Sequence, residues 1–135
     1  MRPAALRALC LSFNAAVEEF PFNPETSVFK VNAKVFALTD LGAEPLTVSL
    51  KCEPEEAVRL REAHPDVVVP GWHLNKRHWN TVTVGELPAA RVREMVEDSY
   101  DLVVAKLPRA ERLRLDHDRR RRRAGRAAQR GPAVD

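Results

Sequence analysis

The stretch that decides the fold is Leu46-Thr47-Val48-Ser49-Leu50-Lys51, in which apolar and polar side chains alternate. Successive side chains of a β-strand point to opposite faces, so this period of two predicts a strand with one buried face and one wet face. Working outward, residues 27–31 and 34–39 predict two further strands. Asn32-Ala33 between them predicts a short turn.

Helical spacing appears on both sides of these strands. The first helix is predicted over residues 3–19, where one apolar stripe is formed by Leu6, Leu9, Cys10, Phe13 and Val17. The second is predicted over residues 54–63, because Pro54 suits a first turn and acidic side chains follow it. The third is predicted over residues 88–106.

Two more strands are predicted over residues 67–69 and 78–84. The resulting order is α-β(3)-α-β(2)-α, in which no βαβ rhythm repeats. This order favours an α+β fold of two layers, with an antiparallel sheet and the helices on one of its faces.

Charge divides the chain at Pro108. Residues 1–108 carry 12 Lys and Arg against 15 Asp and Glu, a net charge of −3, whereas residues 109–135 carry 10 Arg against 4 acids, a net charge of +6. We therefore expect one domain over 1–108 and an arginine-rich, disordered tail over 109–135. Because the tail lacks apolar periodicity, we expect truncation after Pro108 to change stability little.

Several classes of function find no support in the residues. Cys10 and Cys52 are too few for a disulfide framework, which favours reduced thiols and a cytoplasmic location. No run of 18 apolar residues predicts a membrane span, and no phosphate-binding loop or nucleophile motif predicts a cofactor or an enzyme. His73 and His78 lack the spacing of a metal site. Only a deep pocket joining His73, His78 and Cys52 would favour catalysis or metal binding.

The densest group of polar and aromatic side chains lies in residues 71–80. If Val82 faces the core, the strand period places Trp79 at least partly exposed on the opposite face, where it could stack on a base beside Lys76 and Arg77. A purely structural interpretation is that Trp79 covers a sheet edge. The predicted contact residues in this segment and on the nearby strands are Lys76, Arg77, His78, Trp79, Asn80, Lys30, Lys34 and Lys51.

Five arginines follow one another in the tail, at Arg119, Arg120, Arg121, Arg122 and Arg123. Such a run neutralises phosphates and adds affinity without sequence specificity. The alternative is a compositionally biased extension without a selected role.

Several segments of the sequence together show a known pattern. They are Glu19-Phe20-Pro21-Phe22, residues 28–38, Leu50-Lys51-Cys52-Glu53-Pro54-Glu55, residues 71–82 and residues 99–108. On these segments the sequence resembles the MmcQ/YjbR family, and the resemblance covers nearly all of residues 4–108. It implies an α-β(3)-α-β(2)-α fold and a DNA-binding role with a double-wing motif, and it implies no catalysis. Asn32-Ala33 stands where the family pattern leads us to expect a glycine-rich hairpin.

The first hypothesis for function is therefore a small DNA-binding module, to which the tail adds nonspecific affinity. The second is a protein-interaction module that uses the same exposed aromatic patch, and the negative charge of residues 1–108 favours it. An enzyme or a metal protein is the least favoured of the three.

Overall fold

One antiparallel sheet of six strands forms the framework of the protein in a computed structural model, which describes residues 1–71, 73–115 and Gly125. Across the sheet the strands follow the order β1-β2-β3-β4-β6-β5. Their bounds are β1 Ala16–Glu19, β2 Thr26–Val31, β3 Lys34–Asp40, β4 Thr47–Lys51, β5 Val68–Pro70 and β6 Trp79–Thr83. The predicted α+β class and the antiparallel sheet are confirmed.

The helices that accompany the sheet are α1 (Pro3–Leu11), α2 (Pro54–Ala63) and α3 (Ala89–Ala105), and residues 109–115 form a further helical segment. In β4 and β6 every second side chain is buried, and α3 packs across β2, β3 and β4 on that side. The other face is only partly covered, as the alternation of residues 46–51 predicts. Within the described residues, no helix is long and apolar enough to cross a membrane.

The predicted length of the first helix is wrong. The helix ends at Leu11, where the Ser12 hydroxyl donates to the Leu9 carbonyl oxygen at 2.6 Å, and Ala15 then takes a left-handed φ of 62°. Residues 16–19 form β1, which pairs with β2 at the edge of the sheet. Val17 is therefore 46% exposed on a strand and does not continue the helical stripe, and the strand order becomes α-β(4)-α-β(2)-α.

A β-bulge in β3 interrupts the regular pairing of β3 with β2. Phe29 pairs with Ala37 and Lys30 with Val35, so Phe36 is the additional residue of β3. The fully buried Ser99 of α3 joins β3 to β4 beside this bulge. Its hydroxyl donates to the Phe36 carbonyl oxygen at 2.6 Å and accepts from the Lys51 backbone N–H at 2.9 Å.

The predicted turn between β2 and β3 is confirmed as a two-residue hairpin in which Val31 pairs with Lys34. Asn32 and Ala33 both have positive φ, 47° and 67°. This is the backbone of a type I′ turn, which Asn-Gly satisfies best. Ala33 therefore adopts a conformation that costs an L-residue about 1–2 kcal/mol.

Packing continues past Pro108. Residues 109–115 are helical, and Leu115 joins the hydrophobic core with 4% of its surface exposed. The expectation that residues beyond Pro108 contribute almost no buried area is wrong for Leu115. The arginine-rich run Arg119–Arg123 lies outside the described residues, so the predicted disorder of the tail stays a prediction.

Candidate nucleic-acid interface

Four strands meet at one end of the sheet, where β3 and β4 each carry a lysine. β2 ends and β3 begins at the hairpin that precedes Lys34, and Lys51, the last residue of β4, pairs with Trp79, the first residue of β6. Because neighbouring strands run in opposite directions, alternate strand ends meet at the same edge. Lys34 and Lys51, which are 17 positions apart in the sequence, therefore lie at the same end of the sheet.

Three lysines meet at this end. Partial burial lowers the pKa of Lys51, and the positive charges of Lys106 and Lys34 lower it further. Lys106 follows the last turn of α3, so the carboxyl end of this helix lies near Lys51. Within residues 1–71 and 73–115, no ion pair engages any of these three ammonium groups.

A structured loop adds two further charges. Lys76 and Arg77 are both exposed in the connection from β5 to β6. Asn75 folds this connection, since its carbonyl oxygen accepts from the Trp79 N–H at 2.9 Å and its side chain accepts from the Arg77 N–H at 2.9 Å. Arg61 of α2 donates to the Lys76 carbonyl oxygen at 2.8 Å.

Gly71 allows the loop to close against β6. A β-carbon at this position would lie 2.9 Å from Cβ of Trp79, which is too close for any other residue without a shift.

We call the group Lys34, Lys51, Lys76, Arg77 and Lys106 the basic end.

Trp79 lies where the strand period predicts. It is half-buried on the face away from the helices, whereas Val82 is fully buried on the helix-covered face. On the open face Trp79 stands directly opposite Lys51. The prediction that Trp79 is at least partly exposed on the face opposite Val82 is confirmed.

Two predicted contact residues have other roles. Asn80 is only 2% exposed, and its amide nitrogen donates to the Ala57 carbonyl oxygen of α2 at 3.3 Å. It therefore anchors α2 to the sheet, and its prediction as a surface contact is wrong. Lys30 forms an ion pair with Glu19 at 2.9 Å, which offsets its charge. Trp72 lies outside the described residues, as does the run Arg119–Arg123.

The opposite end of the sheet is acidic. Glu25 precedes β2, Asp40 ends β3, Glu44 lies in the turn before β4, and Glu86 follows β6. Strand direction thus places these four carboxylates at the end of the sheet opposite Lys34 and Lys51. Sequence reasoning found Lys34, Lys51, Lys76 and Arg77 but missed Lys106, because only the direction of α3 brings it to them.

A pocket that joins His73, His78 and Cys52 would favour catalysis. Cys52 lines a groove between α2 and α3, but His73 and His78 are not among the residues that line this groove. Burial raises the pKa of the Cys52 thiol to about 11, with Glu56 as the next cause, so this thiol stays protonated near neutral pH. Among residues 1–71 and 73–115, no group of three or more His, Cys, Asp or Glu side chains is arranged to hold a metal ion.

Comparison with known proteins identifies the class. The YjbR family model matches residues 11–102, so the chain belongs to the YjbR family. It is 34% identical to the uncharacterized protein YjbR of Escherichia coli K12 over 113 residues, covering 83% of this chain and 95% of that protein. It is 36% identical to the uncharacterized protein YbdF of Escherichia coli O157:H7 over 98 residues, covering 71% and 79%.

A solved structure supports the same assignment. The crystal structure of the Deinococcus radiodurans protein DR2400, which represents the domain DUF419, superposes with a TM-score of 0.80 at 44% identity. The superposition covers 85% of this chain and 88% of that one. A Pseudomonas syringae protein at 24% identity and a TM-score of 0.62 shares the fold. The names of these relatives state no activity.

Proposed function

We propose that this chain is a small DNA-binding module and that the basic end contacts the phosphate backbone. The observation that carries the proposal is the convergence of Lys34, Lys51 and Lys106 from three distant parts of the sequence. Like charges repel, so their gathering raises the energy of the isolated protein and is relieved by an anion. Lys76 and Arg77 extend the positive surface along the adjacent loop.

The shape of this end suits a nucleic acid. The hairpin tip at Asn32-Ala33 and the loop over residues 73–78 project from the same end of the sheet. Two projections around a cationic centre agree with the double-wing motif that the family resemblance implies. Trp79, opposite Lys51, offers an aromatic surface on which a base could stack, a contact worth about 1–3 kcal/mol. In this proposal the Arg119–Arg123 run adds nonspecific affinity.

Electrophoretic mobility shift at several salt concentrations tests the proposal. The variant Lys34→Ala/Lys51→Ala/Lys106→Ala should bind DNA more weakly, and its slope of log affinity against log salt should flatten by about 0.9 for each lost phosphate contact, or about two to three units in all. The matched control, Arg2→Ala/Arg59→Ala/Arg93→Ala, removes three exposed positive charges from the helices.

Comparison of the two triple variants decides the outcome. If both bind DNA equally well, the basic end is not the binding surface and any remaining affinity belongs to the tail. A Trp79→Ala variant separates stacking from charge, because stacking loss lowers affinity and leaves the salt slope unchanged.

A protein-interaction role for the open sheet face is the second candidate. Val17 and Val69 are 46% and 40% exposed on the two edge strands, and both lie on the same face as Trp79. Exposed apolar side chains on an uncovered sheet face are typical of protein contacts. Binding of a protein that Trp79→Ala abolishes and that the triple lysine variant retains would favour this candidate over DNA.

A further inference from the structure

A groove that adjoins the basic end at Lys51 runs between α2 and α3. Its volume is about 350 Å³, and it lies over the helix-covered face of β4 and β6. The floor is apolar and is formed by Leu50, Leu60, Val82, Met95 and Leu102. Grooves of this size with an apolar floor are typical of binding sites.

Helix α3 presents a regular stripe to this groove. The lining residues of α3 that make up the stripe are Arg91, Met95, Asp98, Leu102 and Ala105, at intervals of four, three, four and three. Helix α2 and the residue that precedes it contribute lining residues at intervals of three and four, namely Glu53, Glu56 and Leu60. Such intervals place side chains along one face of a helix and are the spacing with which helices pack against each other. From Arg91 to Ala105 the stripe is about 21 Å long.

The dimensions favour a helix that lies across the mouth of the groove. A helix 21 Å long and about 10 Å across would occupy far more than 350 Å³, so its backbone must remain outside. Its apolar side chains could enter and reach Met95 and Leu102. This is the helix-in-groove mode of recognition, in which one apolar face supplies the anchors.

Charge specifies the kind of helix. Four carboxylates line the groove against two basic side chains, Lys51 and Arg91, which leaves a net charge of −2. The carboxylates come from both walls, with Glu53 just before α2, Glu56 on α2, and Asp98 and Asp101 on α3. Glu56 also pairs with Arg59 at 2.7 Å on the outer surface of α2.

The two acidic walls act on a common point. Burial raises the pKa of the Cys52 thiol most, and the charges of Glu56, Asp98 and Glu53 raise it further, so carboxylates of both walls lie near this side chain of the groove. An incoming lysine or arginine would therefore meet carboxylates from both helices at once. A basic side chain is favoured there, and an acidic one is repelled.

We infer that the groove between α2 and α3 docks a basic amphipathic helix of a partner protein. The apolar face of that helix inserts between α2 and α3, and its lysines and arginines face Glu53, Asp98 and Asp101. This inference goes beyond the proposed contact with DNA, because it concerns the groove between the two helices, which shares only Lys51 with the basic end, and a partner of the opposite charge.

Peptide binding to the full chain tests the inference. The probe is a fluorescent amphipathic peptide of leucine and lysine, about 14 residues long to match 21 Å, with leucines at alternating intervals of three and four. Fluorescence anisotropy should detect its binding, and a counterpart with glutamate in place of lysine should not bind. The variant Asp98→Asn/Asp101→Asn should weaken binding about tenfold. The control Glu55→Gln/Glu62→Gln, which changes two exposed carboxylates of α2 outside the groove, should leave it unchanged.

Cys52 reports whether the peptide occupies the groove. Cys10 is fully buried and Cys52 is partly exposed, so a thiol reagent should modify Cys52 first. Bound peptide should slow that modification. Equal peptide affinity in the two double variants, or an unchanged rate at Cys52, would overturn the inference. Protection by a peptide of residues 116–130 but not by the leucine-lysine peptide would also overturn it, since the occupant would then be the chain's own tail.

Discussion

Removal of the Ser99 hydroxyl should destabilise the protein substantially, because this one oxygen atom serves two backbone groups. Ser99→Ala leaves two backbone groups without their partner, the Phe36 carbonyl oxygen and the Lys51 N–H. An unsatisfied buried polar group costs about 1–3 kcal/mol. The Lys51 bond is only partly buried, so water can satisfy part of its N–H. We therefore expect a loss of about 2–4 kcal/mol in the free energy of unfolding.

Thermal and urea unfolding followed by circular dichroism measure this loss. For a folded region of about 110 residues, 3 kcal/mol corresponds to a fall in Tm of about 10–15 °C. The control is Ser49→Ala, which removes a 2.8 Å hydrogen bond to the Thr81 hydroxyl on the open face. Water can replace that bond, so it should cost less than about 1 kcal/mol. A Ser99→Ala variant no less stable than Ser49→Ala would refute the view that Ser99 joins β3 to β4.

Three further outcomes are expected. Ala33→Gly should raise the free energy of unfolding by about 0.5–1 kcal/mol, because the backbone strain it relieves costs more than the conformational entropy that glycine adds to the unfolded chain. An unchanged urea midpoint would contradict the turn geometry. Leu115→Ala should cost about 2–4 kcal/mol of stability by urea unfolding, whereas Leu113→Ala, at a side chain 56% exposed in the same helix, should cost less than about 0.5; equal losses would place Leu115 outside the core. Alkylation of Cys52 should accelerate about tenfold for each pH unit without levelling off by pH 9, because its raised pKa of about 11 keeps the thiolate scarce, and a plateau below pH 9 would contradict the burial of this thiol.

Local signals sufficed where one segment determined its own structure. Helix α2 was predicted over residues 54–63 and occurs there, because Pro54 at the first position and two glutamates after it act within a single turn. The alternation of residues 46–51 also predicted which side chains of β4 are buried. In both cases the information lies within a few consecutive residues.

The first helix was predicted too long because two patterns overlap. Val17 lies four residues after Phe13, which is helical spacing, yet it belongs to a four-residue strand. A strand that short offers too few alternations to be told from a helix by periodicity. What fixes residues 16–19 is their pairing with β2, a contact that no local pattern records.

The prediction for Asn80 failed for a related reason. The strand period had placed Asn80 on the same face as Val82, and the structure buries both. A polar side chain on a buried face requires a partner, which α2 supplies through the Ala57 carbonyl oxygen. That partner lies 23 positions earlier in the sequence, so residue type alone suggested exposure.

The net charge of −3 over residues 1–108 had favoured a protein partner, but its distribution changes the argument. The basic end collects Lys34, Lys51 and Lys106, while Glu25, Asp40 and Glu44 lie at the other end of the strands. The five residues of β4 span about 17 Å, roughly two screening lengths at physiological ionic strength. A phosphate at the basic end would therefore interact only weakly with Glu25, Asp40 and Glu44. The nearer carboxylates line the groove that Lys51 also lines, and they would oppose the binding of a phosphate on that side. The local arrangement of charge around one end of the sheet decides which partner binds there, and the sum over the chain does not.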